Sequence, residues 1–335
     1  MKPKRTLTLL LAGALLPLAA MAQNVKWTVG YTNAPGSLYV ETIKTVPARI
    51  EAATQGRLKI ELYDTLVAGA EQPAAVRDGR LDASFAVSPW LSAEAPLVNF
   101  GALPGLITDQ ETYQKMLDPM LRAEVAKVWA AKYNARQVAT GVFEEQCIIS
   151  KAPIRTVADF AGKKFRVHNT EAATLISTIG GVPTPIPFGE ITTALQRGIV
   201  DAVMTSVGTA NGFGFASVAK QLSIWRIGTI VPWSFVVNQQ VWTKLPADLK
   251  PLVEAEFRKI EQEHFARAAQ FSKENIDRLV KSGMTLYVAP PEELAKLFSP
   301  ANVKPVYDTW YSLNDKAGTD GRALVKQIND FKAKL

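Results

Sequence analysis

One cysteine and two histidines are all that 335 residues offer to thiol and imidazole chemistry. The single thiol, Cys147, forms no intrachain disulfide, so an apolar core must carry the stability. Set in the run CII, it reads as a buried strand thiol and not as a nucleophile. His168 and His264 are far apart in sequence, and neither begins a metal-ligand spacing, so no cofactor or metal is expected. The glycine-rich stretch VGTANGFGF at 207–215 lacks the Lys-Ser/Thr of a phosphate loop and the glycine spacing of a dinucleotide fingerprint, and is expected to be a loop. Glu144 and Glu145 are adjacent carboxylates, which in a strand point to opposite faces and make a poor acid–base pair. With no triad and no metal set, an exported enzyme is the weaker reading. Lysines and arginines lie scattered among acids, without the basic runs and interleaved aromatics that nucleic-acid binding requires.

What is present begins at the N-terminus. Lys2, Lys4 and Arg5 precede an apolar run, LTLLLAGALLPLAA, and Ala20-Met21-Ala22 is a small-x-small cleavage site. Residues 1–22 therefore read as a secretory signal peptide, and the run is shorter than the roughly 20 residues of a spanning helix. No cysteine lies near the cleavage site for lipid attachment. Export to the periplasm is expected, and removal of three cations takes the formal charge from +7 to +7 − 3 = +4. The remaining chain exceeds a single typical core, and 47% hydrophobic residues can fill two. No Pro/Gly/Ser-rich linker divides it in the middle. Alternating strand and helix patterns instead predict two α/β lobes joined by crossings near 142–146 and 226–232. A helical pattern from Ala247 to Ser282 carries an apolar stripe of Leu252, Val253, Phe257, Ile260, Phe265, Ala268 and Phe271, and is too long for one small lobe.

Residues 156–201 are the most informative stretch. Thr156 before VADFAG reads as an N-cap, and Gly162 as the stop of a short helix. In the strand KKFRV that follows, Phe165 and Val167 face one way, Arg166 and His168 the other. Ala172, Leu175, Ile176 and Ile179 recur at helical spacing until Gly180-Gly181 ends that helix. VPTPIPF is a second short strand, and Glu190 reads as a cap of the helix ITTALQRG. An arginine held at a strand end can clamp a carboxylate through two parallel charge-assisted hydrogen bonds. Taken alone, Arg166 reads more readily as a surface or ion-pairing arginine than as a clamp.

The assembled pattern resembles the DctP-type solute-binding proteins of tripartite ATP-independent periplasmic (TRAP) transporters. In that family a Lys-x-Arg-Val strand is followed by Gly-x-x-Pro-x-Pro, Phe-x-Glu, an Ala-Leu-Gln helix and Gly-x-Val-Asp. Here these stand as KFRV, GVPTPIPFGE, TALQ and GIVD. The resemblance extends through ETIKTVPARIEAATQGRLKIELY, EQPAAVRDGRLDASFAVSPW, FGALPGLITD and VVNQQVWTKLPADLKPLVEAEF, nearly the whole mature chain.

It implies an α/β, two-lobed periplasmic binding protein fold with mixed sheets, a central ligand cleft and a long lobe-spanning helix. Lobe I would be 23–142 plus about 231–272, and lobe II 143–230 plus about 273–335. By the same resemblance Arg166 is the principal carboxylate-binding arginine. Asn169 matches a polar position that touches ligand, or is a turn asparagine. Phe188 matches an aromatic that packs on ligand, or is core. Three departures bear on the ligand: Gln146 stands where a second arginine is common, Thr205 where a longer polar group is usual, and Trp90 ends a strand that can face the cleft. Trp225 and Trp233 flank the second crossing, as cleft or core residues. Fewer polar groups and more rings imply a monocarboxylate with a bulky or aromatic body. The implied partners are a small organic acid and the TRAP membrane permease, with no nucleic acid and a monomeric receptor. A binding protein of the tricarboxylate-transporter class is the alternative.

Overall fold

The computed structural model describes residues 24–186 and 188–335; the expected signal peptide, 1–22, lies outside the described residues. Among the described residues, eleven strands form two sheets. The first contains β1 (Val25–Gly30), β2 (Leu58–Tyr63), β3 (Ala83–Val87), β4 (Ala135–Val142) and β10 (Pro232–Asn238), in the order β2-β1-β3-β10-β4. β1 runs parallel to β2 and β3, whereas β10 is antiparallel to both its neighbours. The second contains β5 (Gln146–Ser150), β6 (Lys164–Val167), β7 (Val182–Pro185), β8 (Ala202–Ser206), β9 (Gln221–Ile224) and β11 (Thr285–Val288), in the order β11-β9-β5-β8-β6-β7. The architecture is mixed α/β and two-lobed. The chain leaves the first sheet across 143–145, returns across 225–231, and passes over once more along the helix Leu249–Lys281.

That helix has 33 residues, about 50 Å at 1.5 Å per residue. Leu249, Val253, Phe257 and Ile260 pack into the core of the first sheet with Trp27, Phe85 and Phe235. Thirty residues on from Leu249, Leu279 packs into the core of the second sheet with Cys147, Ile149 and Leu222. Of the apolar stripe read from the sequence, Leu252 is exposed. Between the two cores the helix turns polar side chains on the end of β4 and the first crossing. Glu261 accepts from the Thr140 amide (2.9 Å), and Ser272 Oγ from the Glu145 amide (3.0 Å). The His264 ring lies between Thr42 Oγ1, 2.8 Å from Nδ1, and the Val142 carbonyl, 2.7 Å from Nε2. A third cluster joins the halves: Ala86 and Val236 of the first sheet, Ile148, Phe165 and Met204 of the second, and Trp310 of the helix Pro300–Ala317. Trp225 belongs to this cluster and Trp233 to the core of the first sheet, so both are core residues.

Two expectations are corrected. The stretch 207–215 is not a loop, because Val207–Gly212 is helical, with Ser206 Oγ accepting from the Thr209 amide (3.3 Å). Its glycines serve close approach: a Cβ at Gly212 would lie 1.9 Å from the Pro35 carbonyl oxygen, and one at Gly208 2.4 Å from that of Gly36. Glu144 and Glu145 lie in the segment between β4 and β5, outside any strand. Glu144 is fully buried and accepts from Ser206 Oγ (2.6 Å), the Gly208 amide (3.0 Å) and the Leu38 amide (3.1 Å). It thus bridges the N-termini of two helices, Leu38–Ala53 and Val207–Gly212, one from each half, where a carboxylate is favoured. Burial raises its pKa, against those hydrogen bonds.

Candidate functional site

A cavity of about 40 Å³ lies where the two sheets face each other. From the first half come Val87 at the end of β3, then Pro89 and Trp90 in the turn Ser88–Leu91. The crossings supply Phe143 and Val231, and the second half supplies Gln146, Arg166, His168, Phe188, Thr205, Ser206 and Thr209. The alternation expected of β6 holds. Phe165 is in the core and Val167 packs against it, while Arg166 turns to the cavity.

Arg166 is 3% exposed. Its Nη1 donates to the Met204 carbonyl (2.9 Å), and the guanidinium carbon lies 5.8 Å from the centre of the Phe188 ring. Nε has no hydrogen-bond partner, and among the described residues no carboxylate forms an ion pair with it. Burial alone lowers its pKa to about 10. A buried charge is ordinarily paired, since removing it from water costs several kcal/mol. The unpaired guanidinium thus has the charge and the free donors to receive an anion.

Five of the six expected site residues meet here: Trp90, Gln146, Arg166, Phe188 and Thr205. Trp90 and Phe188 approach from opposite halves, edge to face, with ring centres 6.0 Å apart. Gln146 is held by its Nε2, which donates to the Glu144 carbonyl (3.0 Å). Thr205 stands opposite Cys147 on β8. Cys147 is buried, and burial raises its thiol pKa well above the usual range. Asn169 does not line the cavity. Its Oδ1 accepts from the Ala172 amide (2.7 Å), capping the helix Thr170–Thr178, and Nδ2 is buried without a partner. Glu190 holds the N-cap position of the helix Ile191–Arg197 but makes no capping hydrogen bond.

Period two sets His168 on the Arg166 face, and no sequence motif marks it or Phe143, Ser206, Thr209 and Val231 as site residues. His168 lines the cavity, and both its ring nitrogens are buried without partners. Burial, with the Arg166 charge beside it, lowers its pKa to about 3, so the ring is neutral at physiological pH. Below Trp90, Ser92 Oγ accepts from the Thr170 amide (3.0 Å), and Asn99 Nδ2 donates to Glu171 Oε2 (2.8 Å). These contacts join the segment 92–102 to the start of the 170–178 helix. Burial raises the Glu171 pKa to about 8.

Residues 29–313 match the family model described as bacterial extracellular solute-binding protein, family 7 (DctP). The sialic acid-binding periplasmic protein SiaP of Vibrio cholerae is 24% identical over 257 residues, which cover 75% of this chain and 80% of that protein. Among solved structures, an extracytoplasmic solute receptor of Bordetella pertussis binding pyroglutamic acid superposes with a TM-score of 0.81 at 22% identity, covering 91% of this chain and 98% of the receptor. A TRAP periplasmic solute-binding protein of Desulfovibrio salexigens with bound orotic acid gives 0.84 at 20%, covering 92% and 99%. The family match spans most of the described chain, and the two-sheet architecture is that of these receptors. The chain belongs to bacterial extracellular solute-binding protein family 7, the DctP family of TRAP solute-binding proteins, which are receptors for small organic acids outside the cytoplasm and not an enzyme family.

Proposed function

We propose that this protein is the periplasmic receptor of a TRAP transporter, exported by cleavage after residue 22, which captures one monocarboxylate between its lobes and delivers it as a monomer to the membrane permease. One observation carries the reading: the cavity lining contains a buried, unpaired Arg166 and no acidic side chain. The carboxylate pairs with the guanidinium in the bidentate manner its planar fork allows. With Gln146 where a second arginine could stand, the lining holds a single cation, which favours one carboxylate over two. Trp90, Phe143 and Phe188 suit a bulky or aromatic body, with Gln146 and Thr205 as polar neighbours. The acids carried by the Bordetella and Desulfovibrio receptors, pyroglutamic and orotic, each place one carboxyl on a ring, in keeping with that choice.

The lobes are 23–142 with about 231–272, and 143–230 with about 273–335. The ligand favours the closed arrangement because it touches both lobes at once. Micromolar affinity corresponds to about 8 kcal/mol, within reach of one desolvated bidentate pair and a buried ring after ordering costs. A thermal-shift screen of ligand-stripped protein against organic acids of graded size, aromaticity and charge tests the reading. Concentration-dependent stabilisation by bulky monocarboxylates is expected. Hits only among dicarboxylates or sugar acids would overturn the ligand class, and hits only among uncharged solutes would overturn the carboxylate clamp. A catalytic role would appear as altered ligand after incubation, where unchanged ligand is expected.

A further inference from the structure

One buried carboxyl near the cavity takes no part in the clamp. Glu171 stands in the first turn of the helix Thr170–Thr178 of the second half and is 3% exposed. Asn99 is fully buried in the segment 92–102, which follows β3 of the first half. Its Nδ2 donates to Glu171 Oε2 (2.8 Å), so the two side chains meet across the seam between the halves. The other oxygen of each group, Glu171 Oε1 and Asn99 Oδ1, is buried without a partner. Two orphaned acceptors on one bonded pair are unusual, because buried polar atoms are nearly always satisfied. An ionised carboxylate and an amide carbonyl can only accept, whereas a carboxylic acid carries an O–H donor. One proton on Oε1, donated to Oδ1, satisfies both atoms at once and closes the cyclic arrangement in which a carboxylic acid and a primary amide exchange hydrogen bonds.

No counter-charge replaces that proton. On the packed helix Pro300–Ala317, Lys304 pairs with Asp308 and Asp315 with Arg322, Lys316 is exposed, and burial keeps Tyr307 and Tyr311 neutral. Glu94, in the Asn99 segment, lies 3.8 Å from Lys132. On and just past β6, Lys164 is exposed, and Arg166 and His168 line the cavity. None of these contributes at Glu171. Its first-turn position favours a carboxylate, and its own amide and Asn99 oppose burial, yet burial prevails and raises the pKa to about 8.

We propose that Glu171 enters the closed seam as a carboxylic acid whose Oε1–H is donated to Asn99 Oδ1, so that closing the lobes over the cavity takes up one proton and opening them releases it. This rests on the proposed closure of the lobes and adds a regulation of the same site. Parted from Asn99, Glu171 meets water and ionises near its ordinary value of 4.5. The Asn99 N–H bond forms with either state, but the second bond needs the acid, and ionisation in the closed seam turns a buried carboxylate on a carbonyl oxygen. The closed arrangement therefore holds the proton more tightly. Its advantage is whole below pH 4.5 and is lost as pH rises to about 8, the closed-to-open ratio falling by up to about tenfold per pH unit. Glu171 is a positioning residue, holding the start of its helix against the segment that follows Trp90.

Two measurements on ligand-free protein test this. At pH 6 an ordinary carboxyl is ionised, so infrared difference spectra of wild type against Glu171→Gln should show an additional carboxylic-acid carbonyl band in wild type, gone by pH 9. Solution scattering should give wild type a smaller radius of gyration at pH 6 than at pH 9. Glu171→Gln, whose amide offers Asn99 Oδ1 an N–H in place of the O–H, should keep the compact value at both. Absence of the band at pH 6, or a pH-dependent radius that survives in Glu171→Gln, would overturn the inference. The wild-type radius needs no variant to fold: one that ligand reduces but pH leaves alone would overturn the inference while keeping the closure. Neither measurement uses a carboxylate, so failure of the Arg166 clamp is read separately, in the titration of Arg166→Ala.

Discussion

At the scale of single residues, burial sets the chemistry. His168 and His264 have pKa values lowered to about 3 and about 4 by burial, while Glu171 is raised to about 8. The signs oppose each other. An unfolded histidine binds a proton below its ordinary value of 6.5, so stability from the neutral rings is present above that value. It is lost as pH falls toward 4 and then 3. The native state keeps Glu171 protonated where the unfolded chain does not. Its contribution is therefore whole below the ordinary value of 4.5 and lost as pH rises to about 8. No charged group adds to the Glu171 shift; Asn99 is the side chain that opposes burial. In Glu171→Gln the melting temperature should lose the part of its decline between pH 5 and 8 that this carboxyl causes, up to about 1.4 kcal/mol per pH unit. An unchanged profile would mean that Glu171 ionises freely. Trp90→Ala should weaken large acids more than small ones in a calorimetric size series, and equal losses would place the ring outside the ligand's reach.

At the scale of elements, local signals were readable and long-range ones were not. The turn Val157–Phe160 starts where Asp159 Oδ2 accepts from the Thr156 amide (2.8 Å), and the chain reverses at Gly162 and Gly180 with φ of +71° and +85°. Caps and glycine stops lie within a few residues of the elements they bound, so the strand and helix pattern of 156–201 was legible. Period two likewise put Arg166 opposite Phe165. The helix Val207–Gly212 was hidden because its glycines answer to residues 35–36, far away in sequence. The same distance hid the bridging of Glu144, and the orphaned His168 nitrogens depend on what surrounds them. Asn169 showed both of its readings in sequence, and its capping bond is what the structure adds. Gly212→Ala should destabilise by about 1–3 kcal/mol, because its Cβ meets backbone that cannot move aside cheaply. A melting temperature equal to that of wild type would show the 35–36 contact to be loose.

For the whole molecule, three passages between the sheets and one shared core couple the halves, and the cavity lies where they meet. Ligand contacts on both sides of that seam are what would turn binding into closure. Ligand from the screen should therefore reduce the radius of gyration in solution scattering for wild type, and unchanged scattering would mean that binding occurs without closure. Everything in this chain of cause begins with a cation that the fold buries without a counter-charge. Calorimetric titration of Arg166→Ala with the most stabilising acid, beside a melting curve of the free variant, tests that directly. Loss of binding by at least about a hundredfold, equivalent to about 2.7 kcal/mol, with a melting temperature at or above that of free wild type is expected, because the variant no longer buries an unpaired charge. Wild-type affinity in the variant would contradict the assignment of Arg166 as the carboxylate receptor.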